Sequence, residues 1–349
     1  MSGLCPKRFA ALTDRFRGLR VAVVGDFCLD RYLDIDPALV ETSLETGLPV
    51  RNVVAVRPQP GGAGTVTANL VALGVGEIHL IGVSGDDGEG FELRRALGAL
   101  PGVRMEHFVC ASDRATFTYG KPMLLEPGRP PRELERLDRK ERRPTPAALA
   151  GRLAQSVREL TPLVDAMIVL EQVDTADTGT VTDPVLAALA EAARERPALP
   201  MLADSRVGLD RFPPLSFKLN AGELARHLRL AGTPSLDGVR AAALELARRH
   251  RRPAFVTLAE RGIVAADHRG RCEHLPALPV TGPIDVVGAG DSVTANLCAA
   301  LAAGADLREA ITLANAAASI VIHQLGTTGT ADIPGLRQRC VGGVGAASR

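Results

Sequence analysis

The chain is poor in aromatic residues and nearly neutral, and both features limit the partners it can have. Aromatic residues make up 3% of the 349 positions, with two tyrosines and no tryptophan. Lys+Arg 41 and Asp+Glu 40 leave a net charge of +1, so no overall charge attracts nucleic acid or an acidic membrane. Basic clusters at 139–143 and 248–252 lack interleaved aromatic residues. We therefore expect no nucleic-acid partner, and a pocket that stacks a nucleoside base is disfavoured.

The chain also lacks paired cysteines and long apolar runs. Its six cysteines include no Cys-x-x-Cys pair, which favours reduced thiols over a disulfide frame or a zinc site. No run of about 18 apolar residues is present, so we expect no membrane-spanning helix. Residues 1–18 contain no apolar core of signal-peptide length. These features predict a cytoplasmic protein without a membrane partner.

The sequence does contain a regular alternation of apolar strands and amphipathic helices. A hydrophobic content of 46% is enough for a large core, and the length allows two domains or one large α/β unit. Helices predicted at 147–160 and 183–195 alternate with strands predicted at 166–170 and 199–203. This alternation predicts an α/β domain with a mainly parallel sheet.

A glycine-rich turn near the C-terminal end of the chain is the most informative stretch. Gly288, Ala289, Gly290 and Asp291 precede small residues that predict a helix ending at Gly304. Glycines at a helix start let the backbone approach a ligand, and the free N–H groups and the helix dipole favour an anion. An aspartate in the first turn is placed to take a proton from an attacking hydroxyl. The alternative is a tight turn with Asp291 as the helix cap.

The Asp-x-x-Gly-Ala-Gly-Asp motif that ends at Asp291 resembles the C-terminal signature of the ribokinase-like (PfkB) carbohydrate kinases. The resemblance implies that Asp291 is the catalytic base and that the amides of Gly288, Ala289 and Gly290 form the anion hole. One departure is Asn296, where the family usually has alanine or glycine. The resemblance also implies ATP and Mg²⁺ as cofactors, and it leaves dependence on a monovalent cation open.

The resemblance covers residues 19–334 and predicts one ribokinase-like domain. Its fold is a three-layer α/β/α arrangement with a mainly parallel sheet and a small β-sheet lid. Insertions at about 32–59 and 103–125 are expected to form the lid, over the cleft and packed against the lid of a second subunit if the protein is a homodimer. Residues 1–18 and 335–349 are expected to be terminal extensions.

Two stretches in the N-terminal half resemble the sugar-binding elements of the family. Asp30 follows the first strand, and the resemblance implies that it hydrogen-bonds sugar hydroxyls; the alternative is that it caps a turn. Gly61, Gly62 and Thr65 lie in a second glycine-rich helix start, which resembles the signature that holds the sugar. The family usually has asparagine where Thr65 stands, and threonine offers a shorter hydroxyl instead of an amide.

A strand end further along the chain resembles the metal-organising element of the family. Lys218 and Asn220 close a predicted strand, and Glu223 begins a helix. The Asn-x-x-Glu spacing resembles the motif that organises Mg²⁺ through water and senses phosphate. The alternative is that Glu223 only caps the helix, because a carboxylate in the first turn favours the dipole.

Two later stretches resemble the nucleotide-binding elements. Thr257 and Gly262 fit a Thr-x-Gly-x-x-Gly pattern that touches the nucleotide through its backbone, but Ala259 replaces the first glycine. Alanine adopts a strongly positive φ only at a cost. Asn315 lies in a predicted helix over 307–324, and the resemblance places an asparagine of this helix near the adenine.

The predicted function is transfer of the ATP γ-phosphoryl group to a hydroxyl of a sugar or sugar phosphate. Residues 43–50 and 135–138 resemble elements of the heptose-phosphate kinase branch, which suggests a heptose-phosphate-like acceptor. Residues 171–174 depart from the Asp-Tyr-x-Lys-Gly segment that this branch usually carries, which argues against a simple heptose assignment. The alternatives are a nucleoside or fructose-phosphate kinase of the same fold, and a degenerate protein that binds nucleotide or sugar without turnover.

Overall fold

The computed structural model describes residues 4–229, 232 and 234–341. The helices are α1 (Pro6–Phe16), α2 (Ala63–Ala72), α3 (Gly88–Gly98), α4 (Ala147–Leu160), α5 (Asp183–Glu195), α6 (Ala221–His227), α7 (Leu236–His250), α8 (Ala289–Ala302), α9 (Leu307–Val321) and α10 (Ile333–Val341). The strands are β1 (Arg20–Gly25), β2 (Phe27–Ile35), β3 (Glu41–Thr42), β4 (Pro49–Val50), β5 (Val53–Gly62), β6 (Glu77–Gly85), β7 (Val103–Arg104), β8 (Phe108–Ala111), β9 (Thr118–Leu124), β10 (Arg132–Glu133), β11 (Leu137–Arg139), β12 (Ala166–Glu171), β13 (Met201–Ser205), β14 (Ser216–Asn220), β15 (Ala254–Thr257), β16 (Ile263–Ala266) and β17 (Cys272–Leu275).

A large, mainly parallel sheet forms the centre of the molecule. Its strand order is β17-β16-β15-β14-β13-β12-β1-β6-β7, with β8 also paired to β6. Among the described pairings of this sheet, only those of β16 with β15 and with β17 are antiparallel. One core cluster unites α1, α2, α8, α9 and α10 on one face, and a second unites α4, α5 and α7 on the other. The predicted three-layer α/β fold is therefore confirmed.

The parallel sheet brings the ends of several strands together at one edge. Strands β1, β12, β13 and β14 are consecutive neighbours in the sheet, so their carboxyl ends lie side by side. Open α/β sheets bind ligands at this edge. The residues that follow these strands are therefore placed to share one cleft.

A second sheet forms the lid. Its first strand begins at Phe27, earlier than the expected start of the insertion at about residue 32. Its strands are β2, β5, β9, β10 and β11, with β2 between an antiparallel β5 and a parallel β9. The assignment of residues 103–125 as one lid insertion is wrong in its first half, because β7 and β8 pair with β6 in the main sheet. The physical reason is burial: the Phe108 ring packs edge-on against Phe27, with centroids 5.2 Å apart.

Both chain ends contribute helices to the core. In α1, Phe9, Leu12 and Phe16 are at most 1% exposed, and α10 buries Leu336 against the same cluster. The predicted domain bounds of 19 and 334 therefore cut off two packed helices, α1 and α10. Residues 1–3 and 342–349 of the predicted extensions lie outside the described residues. Within the described residues, no helix has the length and apolar character needed to cross a bilayer.

Candidate active site

The start of α8 presents backbone N–H groups that no side chain caps. Gly288 is the N-cap with φ 80° and ψ −6°, a left-handed conformation that glycine adopts at little cost. Ala289 and Gly290 are the first helical residues, and Asp291 is the third. Asp291 makes no capping hydrogen bond, so the turn-and-cap alternative does not describe its side chain. The N–H groups and the helix dipole together form a site for an anion.

The Asp291 carboxylate is partly buried and sits among other charges. The pKa of Asp291 is raised to about 7, mainly by burial and then by the Asp204 carboxylate, while Lys218 and Arg206 oppose the shift. A carboxyl group with a pKa near the working pH is well suited to act as a general base. The electrostatics therefore allow Asp291 to accept a proton near neutral pH.

A buried ion pair lies beneath this helix start. The Lys218 Nζ is 2.8 Å from Asp204 Oδ2, and both side chains are at least 92% buried. A Cβ built on Gly290 would lie 3.2 Å from the same Nζ. Thr294 on α8 donates to Asp204 Oδ2 at 3.4 Å. This pair thus places one ammonium group directly below the first turn of α8.

The second glycine-rich helix start, at α2, faces Asp30 of the lid. A Cβ on Gly61 would lie 2.9 Å from Asp30 Oδ1, and one on Gly62 would lie 2.6 Å from the Asp26 carbonyl oxygen. Asp30 is also 3.1 Å from the ammonium group of Lys121 on β9. The structure therefore brings together Asp30, Gly61 and Gly62, as the resemblance implies.

Thr65 does not present its hydroxyl to the cleft. Its Oγ1 donates to the carbonyl of Pro60 at 3.4 Å, and its methyl carbon is 3.6 Å from the position that a Gly288 Cβ would occupy. The side chain is 2% exposed. Thr65 therefore joins the two glycine-rich starts by packing, and a role in holding the sugar stays a prediction.

Asn220 and Glu223 form a reciprocal capping box at the start of α6. The Asn220 Oδ1 accepts from the Glu223 N–H at 2.9 Å, and Glu223 Oε2 accepts from the Asn220 N–H at 2.7 Å. Burial raises the pKa of Glu223, and the Asp204 carboxylate adds to the shift. The capping alternative is thus realised for Glu223, and its metal role stays a prediction.

The donors near Glu223 suit a magnesium ion that is held mainly by water and phosphate. Glu223 and Asp291 are both carboxylates within electrostatic reach of Asp204, and Mg²⁺ prefers such oxygen ligands. Among the residues that the structure describes, no three His, Cys, Asp or Glu side chains converge to hold a metal on their own. Mg²⁺ commonly takes one or two carboxylates and completes its shell with substrate phosphates and water.

The predicted nucleotide residues lie around the end of β15 and on α9. Thr257 donates its hydroxyl to Leu219 carbonyl at 3.3 Å, and Asn315 donates to the carbonyl of Pro276 at 2.9 Å. A Cβ on Gly262 would overlap the carbonyl of Leu275, so only glycine fits there. Ala259 has a φ of 50°, so it occupies the left-handed region where the family has glycine. Their contacts with nucleotide stay predictions.

Several cleft residues escaped sequence reasoning because they lie on separate elements. The lid contains both tyrosines of the chain, and each has cations over its ring: Arg57 and Lys121 over Tyr32, and Arg136 and Lys140 over Tyr119. Arg206, which follows β13, donates to the Tyr119 hydroxyl at 3.1 Å. The available sequence signal was the Asp204-Ser205-Arg206 run at a strand's carboxyl end.

The loop at 171–182, which departs from the heptose-kinase pattern, is fixed by Asp26. The Asp26 carboxylate accepts backbone N–H groups of Gln172, Val173 and Thr180 at 2.6–3.2 Å. Burial raises the pKa of Glu171 to about 7, and this carboxyl accepts from the hydroxyl of Ser205. The loop therefore has a defined conformation built on its own residues.

Comparison with known sequences finds similarity to carbohydrate kinases. A family model described as pfkB family carbohydrate kinase matches residues 185–334. The bifunctional protein HldE of Azorhizobium caulinodans is 32% identical over 309 residues, covering 88% of this chain and 61% of the relative. The protein of the same name from Halorhodospira halophila is 34% identical, covering 89% of this chain and 61% of the relative. The chain spans about three-fifths of the length of these relatives.

Comparison with solved structures defines the fold. Arabidopsis thaliana ribokinase complexed with ribose and ATP superposes with a TM-score of 0.63 at 18% identity, covering 91% of this chain and 95% of that one. Escherichia coli phosphofructokinase-2 in complex with substrates and products gives 0.69 at 19% identity, covering 92% and 98%. The fold is that of the ribokinase-like kinases. The family match and the relatives above agree with this fold: the chain is similar to the pfkB family carbohydrate kinases over residues 185–334.

Proposed function

We propose that the protein transfers the γ-phosphoryl group of ATP to a hydroxyl of a sugar or sugar phosphate. The observation that carries this proposal is the start of α8, where uncapped N–H groups stand beside Asp291. Asp291 takes the hydroxyl proton, the acceptor oxygen bonds to the γ-phosphorus, and ADP leaves. The amides of Gly288, Ala289 and Gly290 stabilise the charge that develops on the transferring group.

Other residues hold the partners of the reaction in this proposal. Asp30 with the Gly61–Gly62 turn orients the acceptor, and Lys218 offers its charge below the phosphate site. Bound Mg²⁺ neutralises phosphate charge, and Glu223 is the residue that would orient it through water. The segment of Thr257 and Gly262, with Ala259 and Asn315, surrounds the nucleotide.

Within this class we propose a phosphate-bearing acceptor of the heptose-phosphate type. Arg206 bonds the Tyr119 hydroxyl of the lid, and none of the ion pairs among the described residues includes it. Lys121, in contrast, is paired with Asp30 at 3.1 Å. A guanidinium without a carboxylate partner suits two-point binding of a phosphate. This cation stands close enough to influence Asp291, so a phosphate there would lie near the reacting hydroxyl.

A screen of ADP release over sugars, sugar phosphates and nucleosides tests the proposal. We expect Mg²⁺-dependent ADP release with a sugar phosphate, a weaker response to its unphosphorylated counterpart, and no phosphorylated product from the Asp291→Asn variant. Turnover of nucleosides alone would favour a nucleoside kinase, and turnover confined to fructose 6-phosphate would favour a fructose-phosphate kinase over one for heptose-phosphate-like sugars. Stabilisation by ATP or sugar without any product would favour a degenerate binding protein.

We further propose that the protein is a cytoplasmic homodimer formed through the lid. Strand β5 lies at the edge of the lid sheet, and Val53, Val54 and Val56 on it are 43–52% exposed. An unpaired apolar edge is a ready surface for a second copy of the strand. All six cysteines are free thiols, which fits a reducing compartment. Sedimentation of the parent and of Val54→Asp tests the dimer, and a monomeric parent would refute it.

A further inference from the structure

Gln59 lies on the lid strand β5, directly opposite the proposed acceptor-binding residue. In the antiparallel pairing of β2 with β5, Asp30 and Gln59 are register partners. Directly opposed residues in a sheet project from the same face, so the two side chains share the side of the lid that faces the cleft.

The side-chain amide of Gln59 reaches across to a loop that is 268 residues away in the chain. Its Nε2 donates to the Thr327 hydroxyl at 2.9 Å. Its Oε1 accepts from the Thr328 hydroxyl at 3.1 Å and lies 3.4 Å from the Thr328 backbone nitrogen. Both ends of one amide are therefore used to connect the lid with the loop that follows α9.

That loop lies against the anion site at α8. The Cα and Cβ of Thr328 are each 3.6 Å from the position of a Cβ on Gly288. The loop has its own internal support, because the Gln324 side chain exchanges two hydrogen bonds with the Thr330 backbone at 2.8 and 3.1 Å. A displacement of Thr328 would therefore be felt at Gly288 rather than absorbed within the loop.

We infer that Gln59 is a positioning residue that couples the lid to the anion site, an inference that rests on the proposed function. Asp30 holds the acceptor on one side of the connection, and Gly288 holds the phosphoryl group on the other. Gln59 fixes the distance between them through Thr327 and Thr328. Transfer requires the acceptor oxygen and the phosphorus to be aligned within a fraction of an ångström, and a misplacement of about 1 Å can cost about 10²-fold in rate.

Kinetics of Gln59→Leu test the inference against a purely structural role. Leucine keeps the size of the side chain and removes both hydrogen-bonding groups. We expect kcat for transfer to fall about tenfold to a hundredfold, with KM for ATP nearly unchanged. We also expect more ADP to be released per phosphorylated acceptor, because a misaligned acceptor leaves water as a competitor. The matched control is Gln155→Leu, a change on the exposed face of α4.

The opposite end of the contact provides a second variant. Thr328→Val removes the hydroxyl that donates to Gln59 but leaves the contact between Gln59 and Thr327, so it should reproduce part of the fall in kcat. Combined with Gln59→Leu it should add little further loss, because Gln59→Leu already removes the bond that Thr328→Val deletes. Independent, additive losses, or an unchanged kcat in Gln59→Leu, would overturn the inference.

Hydrogen exchange tests the coupling without any acceptor, which separates it from the proposed function. In the absence of substrate, Gln59→Leu should speed amide exchange in residues 324–330 and at Ala289 and Ser292, whose N–H groups bond the carbonyls of Val286 and Gly288, whereas Gln155→Leu should not. If exchange rises as expected but no acceptor is ever turned over, the coupling stands and the proposed function fails. Exchange that stays at the parent level in both segments would refute the coupling itself.

Discussion

Two helices of this protein begin with the same three residues, yet the structure uses them differently. Helix α2 begins Gly62-Ala63-Gly64 and helix α8 begins Gly288-Ala289-Gly290, each with the first glycine as the N-cap. Neither helix has a side-chain cap. The difference between them lies in what surrounds each glycine.

At α2 the glycines are required by close packing. A Cβ on Gly64 would lie 2.4 Å from the Cβ of Pro60, and one on Gly62 would lie 2.6 Å from the carbonyl of Asp26. At α8 the nearest atoms to a Cβ on Gly288 are 3.6 Å away. A Cβ on Gly290 would meet only the flexible end of Lys218. The first turn of α8 therefore has room for a ligand, and that of α2 is filled by protein.

The third residue of each helix shows the same contrast between a packed α2 and an open α8. Thr65 at α2 is 2% exposed and bonds to its own chain, whereas Asp291 at α8 makes no cap and has a pKa raised to about 7 by burial. The Thr65 side chain is thus satisfied by its own chain, whereas the Asp291 carboxylate makes no capping contact at the start of α8. The same short motif has two environments, and tertiary packing decides between them.

The largest effect is expected from Asp291→Asn. Asparagine keeps the size of the side chain but cannot accept the hydroxyl proton, so turnover should fall about 10²–10⁴-fold. ATP binding should persist, because the amides of α8 remain. Turnover and ATP affinity of the purified variant, measured beside Thr294→Ser as a control on the same helix, check this. A loss of only a few-fold would mean that Asp291 is not the base.

The pH dependence should reveal the same carboxylate. Because burial raises the pKa of Asp291 to about 7, kcat/KM should fall about tenfold per unit as pH drops below about 7. For stability the sign is opposite: a raised pKa means that ionisation opposes folding, so the contribution of Asp291 to the free energy of unfolding falls as pH rises from its ordinary pKa of 3.8 to about 7 and is constant above that. Urea unfolding at pH 6 and 8 should show this loss in the parent and not in Asp291→Asn. A rate profile flat from pH 6 to 8 would contradict it.

A smaller effect is expected from Glu223→Gln. Glutamine keeps an oxygen for the Asn220 N–H, so the capping box can survive while the charge is lost. We expect the Mg²⁺ concentration for half-maximal turnover to rise severalfold, with sugar binding little changed. The control is Glu309→Gln, since Glu309 belongs to a capping box of the same type on α9. Equal Mg²⁺ dependence of both variants would leave Glu223 as a cap alone.

Local sequence patterns were sufficient for the fold and for the start of α8. The helices predicted at 147–160 and 183–195 have those bounds in the structure, because each has a strong apolar stripe and clear ends. The capping box at Asp306 and Glu309 also forms as its spacing indicates. At the start of α8, glycine content and helix polarity are local properties that the sequence expresses directly.

Features that depend on distant partners could not be predicted in this way. Strands β7 and β8 are short, and only their pairing with β6 assigns them to the main sheet rather than the lid. The contact of Gln59 with Thr327 joins residues 268 apart. The sequence predicts that Thr65 is a polar residue of the cleft, but its hydroxyl donates to the carbonyl of Pro60. Each of these outcomes follows from tertiary packing.

The most direct test of the account is a matched pair of substitutions at the second helical position, Gly290→Ala and Gly64→Ala. We expect Gly290→Ala to keep or slightly raise stability, by up to about 1 kcal/mol from helix propensity, and to lower kcat at least tenfold because its methyl group covers the anion site. We expect Gly64→Ala to lose roughly 1–3 kcal/mol through its clash with Pro60, with kcat of the folded protein retained. Urea unfolding and turnover of both proteins give the result. If Gly290→Ala keeps full turnover, or if both variants lose stability and activity alike, the assignment of α8 as the phosphoryl-transfer site is contradicted.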